Sequence, residues 1–350
     1  MIDVLTLTDG GQEPMDVARR IEAFVGAARE TLELALYDVR LPSPVAEVVR
    51  GAIVGAAERG VAVRLAYNLD HRKPIPVPPP PSTEPALVET LGVPTRQIPG
   101  DRDLMHHKYM VRDRASVWTG STNWTADSWS REENLVVVVD SPGLAQAYAA
   151  NFQELWSTAE VEKTGRGRPD PVDVAGIRVR PWFCPGHGDE LSHRVASAVG
   201  RARRVRVASP VITAGPILGT LAQVAGDGRA DLAGVVDSTQ VEEVVRQWRA
   251  NGSAAWKLPA LAAILQGGAF TGKHSTPYRP GSVHDYMHAK VTVADSTVFL
   301  GSFNLSHSGE MNAENVLEIE DPALADRMAA YVDDVRARYP PAELPPAPRA

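Results

Sequence analysis

Two stretches of the chain carry the same reactive residues at the same spacing. The first reads His106-x-Lys108-x4-Asp113, then Gly120-Ser121-x-Asn123, then Glu133-Asn134. The second reads His288-x-Lys290-x4-Asp295, then Gly301-Ser302-x-Asn304, then Glu314-Asn315. Only the interval from Asp to Gly differs, by one residue, which a turn between strands absorbs. On a strand, residues i and i+2 face the same way, so the His and Lys of each copy share a face, as do its Ser and Asn. Each copy therefore offers an imidazole, an ammonium, a hydroxyl and an amide from neighbouring strands. That set suits a phosphate group: lysine as a point charge, serine and asparagine as donors, glycine for close backbone approach. Glu133 or Glu314 is placed to accept from the far nitrogen of its histidine, fixing the tautomer and supporting the imidazolium. A single H-x-K is commonly just a half-buried strand face, but two copies in matching contexts mark duplicated architecture.

The elements that must hold these residues alternate between helix and strand. Apolar groups at helical spacing over 14–31 precede a buried strand, TLELALYDV (31–39). A second helix over 43–59 and a strand over 61–69 continue a β-α-β pattern, which calls for a sheet covered by helices. The Pro-rich run 73–86 reads as a spacer. Three β-like runs (105–112, 116–123 and 134–140) and a helix over 142–156 close a first half at residues 1–156. Residues 157–176 read as a linker, and 177–340 repeat the plan: strands at 177–183, 204–212 and 232–237, helices at 189–202 and 214–226, a Gly-rich loop at 267–283, strands within 290–304 and 315–321, and a helix over 322–338. The tail 341–350, rich in Pro and Ala, reads as disordered.

The paired motifs resemble the phospholipase D superfamily, over nearly the whole chain. The resemblance implies an α/β protein of two similar α-β-α halves with mixed, mainly parallel sheets, related by a pseudo-two-fold axis with the active site at their interface. It also implies phosphodiester cleavage through a covalent phosphohistidine, with no metal and no cofactor. On these positions His106 attacks phosphorus. His288 protonates the leaving oxygen and then activates water or another alcohol. Lys108 and Lys290 neutralise the phosphoryl oxygens, Ser121, Asn123, Ser302 and Asn304 complete the cradle with Gly120 and Gly301, and Asp113 and Asp295 support the local fold. The run G-S-T-N-W-T, followed by R-E-E-N-L-V-V-V and a helix ending in Leu-Trp, resembles small bacterial endonucleases of the superfamily and leans the substrate toward nucleic acid. The alternative is a phospholipase D or phosphatidyltransferase, cardiolipin-synthase-like, acting on phospholipids. A non-catalytic scaffold is the remote third reading.

Other residues give weaker signals. His107 points to the opposite strand face from His106 and reads as structural. Trp118, Trp124 and Trp129 read as core or rim aromatics. The basic run 201–206 spans a helix end and the next strand. His71, Arg72 and Lys73, with Lys273, His274 and Arg279, are placed at the mouth of the cleft by loop position alone.

Composition narrows the classes. The 350 residues, 44% hydrophobic and 23% charged, support a packed core rather than disorder. The single cysteine, Cys184, excludes a disulfide scaffold and a Cys-rich zinc site. With 36 basic and 43 acidic residues, the net charge of −7 argues against a protein that coats nucleic acid, but not against a local positive cleft. No apolar run reaches membrane-spanning length, and the first residues lack the pattern of an export signal, so a cytoplasmic location is expected. Two motifs on one chain also make an obligate protein partner unnecessary.

Overall fold

The computed structural model describes residues 1–69, 83, 85–100, 102–279 and 281–346. In the first half the strands are β1 (Ile2–Leu7), β2 (Thr31–Leu36), β3 (Val39–Arg40), β4 (Ala62–Leu69), β5 (Thr95–Pro99), β6 (Lys108–Arg112), β7 (Ser116–Gly120), β8 (Trp124–Thr125) and β9 (Asn134–Asp140). In the second they are β10 (Val172–Val174), β11 (Ile177–Phe183), β12 (Arg204–Ala208), β13 (Asp231–Asp237), β14 (Phe270–Lys273), β15 (Val291–Ala294), β16 (Thr297–Gly301) and β17 (Asn315–Glu320).

The two large sheets have the same plan. The first runs β1-β9-β7-β6-β2-β4-β5 and the second β11-β17-β16-β15-β12-β13-β14, with β10 added at its edge. In each, the β2–β4–β5 or β12–β13–β14 pairings are parallel and the remaining neighbours antiparallel. The sheets are therefore mixed: five of the seven shared strands point one way, while β6 and β9, or β15 and β17, are inserted against them. Strand β9, NLVVVVD, is apolar almost throughout because both faces of its sheet are covered.

The helices Pro142–Thr158 and Pro322–Arg336 occupy equivalent places after β9 and β17. Each begins with a proline in its first turn behind a polar cap: Ser141 accepts from the Leu144 amide, and Asp321 from that of Ala323. Their apolar faces, among them Leu144, Tyr148 and Phe152 on one and Met328 and Val332 on the other, share a single buried core with residues of both sheets. At about 1.5–3 kcal/mol for each large apolar side chain fully buried, this shared core makes the halves one body.

Several expectations need correction. The segment 157–176 is not a free linker. Val161 and Thr164 are buried, Glu154 accepts from the Gly165 amide, and β10 joins the second sheet. Residues 341–346 are ordered: the Ala342 amide donates to Phe270 O, and Arg249 donates to the carbonyls of Pro345 and Pro346. Proline removes donors from this tail but leaves its carbonyls, and these are what Arg249 uses. Strands β1, β5, β10 and β14, all short or at sheet edges, were not foreseen. Most of the Pro-rich run, with His71, Arg72 and Lys73, lies outside the described residues. Among the described residues no helix is long and apolar enough to cross a membrane.

Candidate active site

Each histidine precedes a central antiparallel strand, and its backbone is held from the other half. The His106 amide donates to Ala313 O at 2.9 Å, and the His288 amide to Glu133 O at 3.1 Å. The preceding residues form parallel bridges across the same junction, Met105 with Ala313 and Met287 with Glu133. Their amides are received within their own halves by equivalent polar residues, Asn68 Oδ1 at 2.9 Å and Asp237 Oδ2 at 3.0 Å. The two lysines also match: Lys108 Nζ donates to His106 O at 2.7 Å and Lys290 Nζ to His288 O at 2.6 Å. All four side chains are buried, with His106 and His288 keeping 5% and 8% of their surface accessible.

The ring nitrogens also have partners from the opposite half. His106 Nδ1 lies 2.8 and 2.9 Å from the two oxygens of Glu314. His288 Nδ1 lies 3.1 Å from Asn134 Oδ1, with Glu132 Oε2 at 3.5 Å. The site thus exists only where the halves meet. With Nδ1 engaged, Nε2 is the nitrogen available for chemistry on each ring.

Glu133, expected to be an orienting carboxylate, is not one. Residues alternate along an extended segment, so Glu132 and Asn134 face His288 while Glu133 points away. There it meets Lys273 Nζ at 3.0 Å and the hydroxyl of Tyr339. The strand registers show how the misreading arose. Gly120 pairs with Val136 and Gly301 with Val316, while the amides of Ser121 and Ser302 donate to Leu135 O and Asn315 O. Asn134 is therefore the counterpart of Glu314, and Leu135 of Asn315. The matching Glu-Asn letters are out of register by one.

The serines and glycines also serve the scaffold rather than the phosphate cradle expected of them. The one proton of the Ser121 hydroxyl goes to Asn134 Oδ1 at 2.7 Å while its oxygen accepts from the Leu135 amide. Ser302 Oγ accepts from the Asn315 amide at 3.0 Å and is fully buried. Gly120 and Gly301 have φ of +142° and +157°, and an added Cβ would stand 2.2 Å from Leu135 O or 2.1 Å from Asn315 O. The close approach they permit is to the neighbouring strand. Asn123 and Asn304 differ from these: each side-chain Oδ1 is buried without an internal partner. Asp113 and Asp295, both at φ +51°, receive the backbone amides of residues 29–31 and of 203 and 204 respectively. Burial opposes ionisation of Asp113, but its three amide donors outweigh it and hold the carboxyl below its usual range.

His107 is buried between the halves, where Asn315 Nδ2 lies 3.2 Å from its Nδ1. Thr119 and Tyr148 of the first half donate to the Oδ1 of the same asparagine. Trp118, Trp124 and Trp129 are core residues. Lys273 does not sit at a cleft mouth; it is buried against Glu133 and Asp9. His274 and Arg279 are exposed. Two residues that touch the site escaped sequence reasoning. Glu132 was legible from strand alternation. Tyr37, whose ring stands edge-on to His106 at 4.6 Å and under Lys108 Nζ at 4.7 Å, left no motif signal.

Electrostatically the site is a set of buried ionisable groups opposing one another. Burial, then Lys108 and Lys290, holds His106 well below the usual histidine range. Burial, then Lys290, Lys108, His106 and His284, does the same for His288. Burial brings Lys108 down to about 7, against the pull of Glu314 and Asp38. It also lowers Lys290, which the Lys108 charge depresses further. Burial pushes Glu314 up to about 8 and raises Glu132. Two imidazoles engaged at Nδ1, beside two lysines whose charged forms an anion would stabilise, are a set that can hold a phosphoryl group and, with a proton on one ring, pass that proton to a leaving oxygen. Among the described residues no group of three or more His, Cys, Asp or Glu has the geometry to hold a metal.

Two pseudo-symmetric halves that pool a histidine and a lysine each at one junction define the phospholipase D superfamily. The chain belongs to the family described as "Cardiolipin synthase, PLD-like domain", which matches residues 21–156 and 195–336. Among curated relatives, a mitochondrial cardiolipin hydrolase of Xenopus laevis is 27% identical over 139 residues, 40% of this chain and 60% of that protein. The corresponding protein of Canis lupus familiaris is 26% identical over 170 residues, 46% of this chain and 61% of that protein. The chain thus spans about 60% of the length of these relatives. The fold matches phosphatidylserine synthase from Haemophilus influenzae Rd KW20 at a TM-score of 0.66 and 13% identity, over 96% of this chain and 86% of that one. It also matches polyphosphate kinase from Porphyromonas gingivalis at a TM-score of 0.57 and 11% identity, over 95% of this chain and 50% of the other.

Proposed function

We propose that this protein cleaves a phosphodiester by two-step displacement at His106 and His288, with a phospholipid as substrate. The observation that carries the reaction is the crossed support of the histidines, Glu314 on His106 and Asn134 on His288, each from the opposite half. In the first step His106 Nε2 forms a bond to phosphorus as the P–O bond to the leaving group breaks. A proton on His288 Nε2 passes to that oxygen. The phosphorylated His106 ring is cationic, and the Glu314 carboxylate neutralises it. In the second step His288 takes a proton from water or an alcohol, whose oxygen attacks phosphorus as the P–N bond breaks. Lys108 and Lys290 supply charge to the phosphoryl oxygens, and Asn123 and Asn304 can add donors to them only through their Nδ2 groups.

The phospholipid reading rests on the relatives named cardiolipin hydrolase and on the family description. It is preferred to the expected lean to nucleic acid, which rests on the run from Gly120 to Val138, the helix ending in Leu155-Trp156 and the pattern of the first residues. The test offers the protein, in EDTA, vesicles of cardiolipin or phosphatidylglycerol beside single- and double-stranded DNA and RNA. Release of phosphatidic acid or phosphatidyl transfer is the expected result. Cleavage confined to nucleic acid would reverse the substrate reading, and a strict need for divalent metal would overturn the mechanism.

A further inference from the structure

The two histidines do not rest on equivalent acceptors, and the difference singles out a pair of residues outside the recurring motif. His106 Nδ1 lies directly against the carboxyl group of Glu314. At the counterpart position His288 meets an amide whose orientation is fully determined: Asn134 Nδ2 donates to Ser128 O at 3.2 Å and to Glu132 Oε2 at 2.8 Å. Its Oδ1 is therefore the atom turned to Ser121 Oγ and His288 Nδ1. Ser128 Oγ donates to the same Glu132 oxygen, which lies 3.5 Å from His288 Nδ1. Glu132 is 1% exposed, so its charge is felt locally with little screening.

We infer that Glu132, acting through and beside Asn134, is the positioning residue that fits His288 for proton transfer, as Glu314 fits His106 for attack on phosphorus. The inference rests on the two-step reading above and adds a residue and a tuning device to it. A carboxylate in direct contact stabilises a cationic ring, which favours the phosphorylated form of His106. An amide acceptor fixes the Nδ1 proton and adds no charge, so the His288 imidazolium gives up its Nε2 proton more readily. Glu132, one step back, keeps that imidazolium accessible where the other neighbours oppose it. Those neighbours are Lys290 two residues on, Lys108 and His106 from the opposite half, and His284 from the preceding loop. Burial and these neighbours together hold His288 low, and the Glu132 carboxylate 3.5 Å from its Nδ1 is placed to oppose them.

The test is a pair of substitutions that remove or shift the charge, read in the full-length protein. Glu132→Gln deletes it. Glu132→Gln with Asn134→Asp moves it into direct contact with His288 at unchanged net charge. In the pH profile of kcat, the limb on which the acid loses its proton should move down by about one unit in the first variant and up by about one unit in the second. KM should rise in the first variant, because Glu132 also favours the charged forms of Lys108 and Lys290, and change little in the second. Nitrogen-15 histidine spectra of each variant, taken with a thermal melt, read the His288 titration directly even where turnover is low. Limbs and His288 titrations that stay at the wild-type pH in both folded variants would overturn the inference. So would a His288 shift of the same sign in both. The underlying reading is judged separately, on the wild-type protein. A phosphoryl adduct on His106 sustains it, and turnover with no adduct on any histidine defeats it whatever the variants do.

Discussion

The first and second halves agree wherever the backbone is being held and differ wherever charge is being set. Both brace the residue before the histidine with a polar side chain, Asn68 or Asp237, tie each lysine to its histidine carbonyl, and clamp a turn with Asp113 or Asp295. Both leave only hydrogen for a side chain at Gly120 and Gly301. Against that common frame, Glu314 faces Asn134, Asn315 faces Leu135, and Tyr37 under Lys108 has Pro210 at its counterpart position. Geometry must be kept in both copies for the junction to close. Electrostatics need not be, and under the proposed mechanism, with one histidine attacking and the other carrying a proton, different surroundings for the two are expected.

The sharpest way to break this comparison is to remove each histidine. His106→Asn should abolish turnover and adduct together. His288→Asn should lose about 10²–10⁴-fold on ordinary substrates yet still form the adduct with a nitrophenyl leaving group, and that adduct should accumulate. Quenching under alkaline denaturing conditions and mapping the phosphorylated peptide decides it, and phosphate on His288 alone would invert the roles. Next come the lysines. Lys108→Met and Lys290→Met should each slow adduct formation by about 10²–10³-fold in rapid-quench experiments, since each supplies charge to the same phosphoryl group. A loss at only one of them would show that the halves share the phosphate unequally.

On stability the halves should behave alike. Gly120→Ala and Gly301→Ala each drive a methyl into a backbone carbonyl, so each should cost about 1–3 kcal/mol, visible as matched drops in melting temperature. Unmatched drops would mean that one strand end is free to shift. The smallest effect is on pH. Attack by His106 Nε2 needs Glu314 as a carboxylate, which forms as pH climbs through about 8. Lys108 loses its charge as pH climbs through about 7, so adduct formation should pass through a maximum between about 7 and 8. A rate that climbs or falls steadily across that range would separate these groups from that step.

Much of this was legible in the repeated letters. Paired His-x-Lys and Gly-Ser-x-Asn runs on apolar strands announced two like halves and which groups share a face in each, because strand alternation ties spacing to facing; that the groups meet at the junction came from the resemblance to the superfamily. The Glu-Asn repeat misled for the same physical reason. A one-residue slip turns every side chain to the other face, and identical letters concealed the slip that only the Gly120–Val136 and Gly301–Val316 pairings reveal. The serines looked like phosphate donors because a hydroxyl can serve either purpose, and its single proton is assigned only once Asn134 is seen beside it. Tyr37 and the order in residues 341–346 depend on contacts distant in sequence, which no local pattern encodes.

The crossed bridges at Met105 and Met287 have a consequence for what a single chain can do. If one half associated with an identical copy of itself, each histidine would look across at the same residue, and whatever favoured attack on one side would favour it equally on the other. Such a pair would choose its attacking ring anew at every encounter with substrate. Joining unlike halves covalently lets the residue opposite each histidine be chosen independently, so the direction in which a substrate must lie is written into the polypeptide itself.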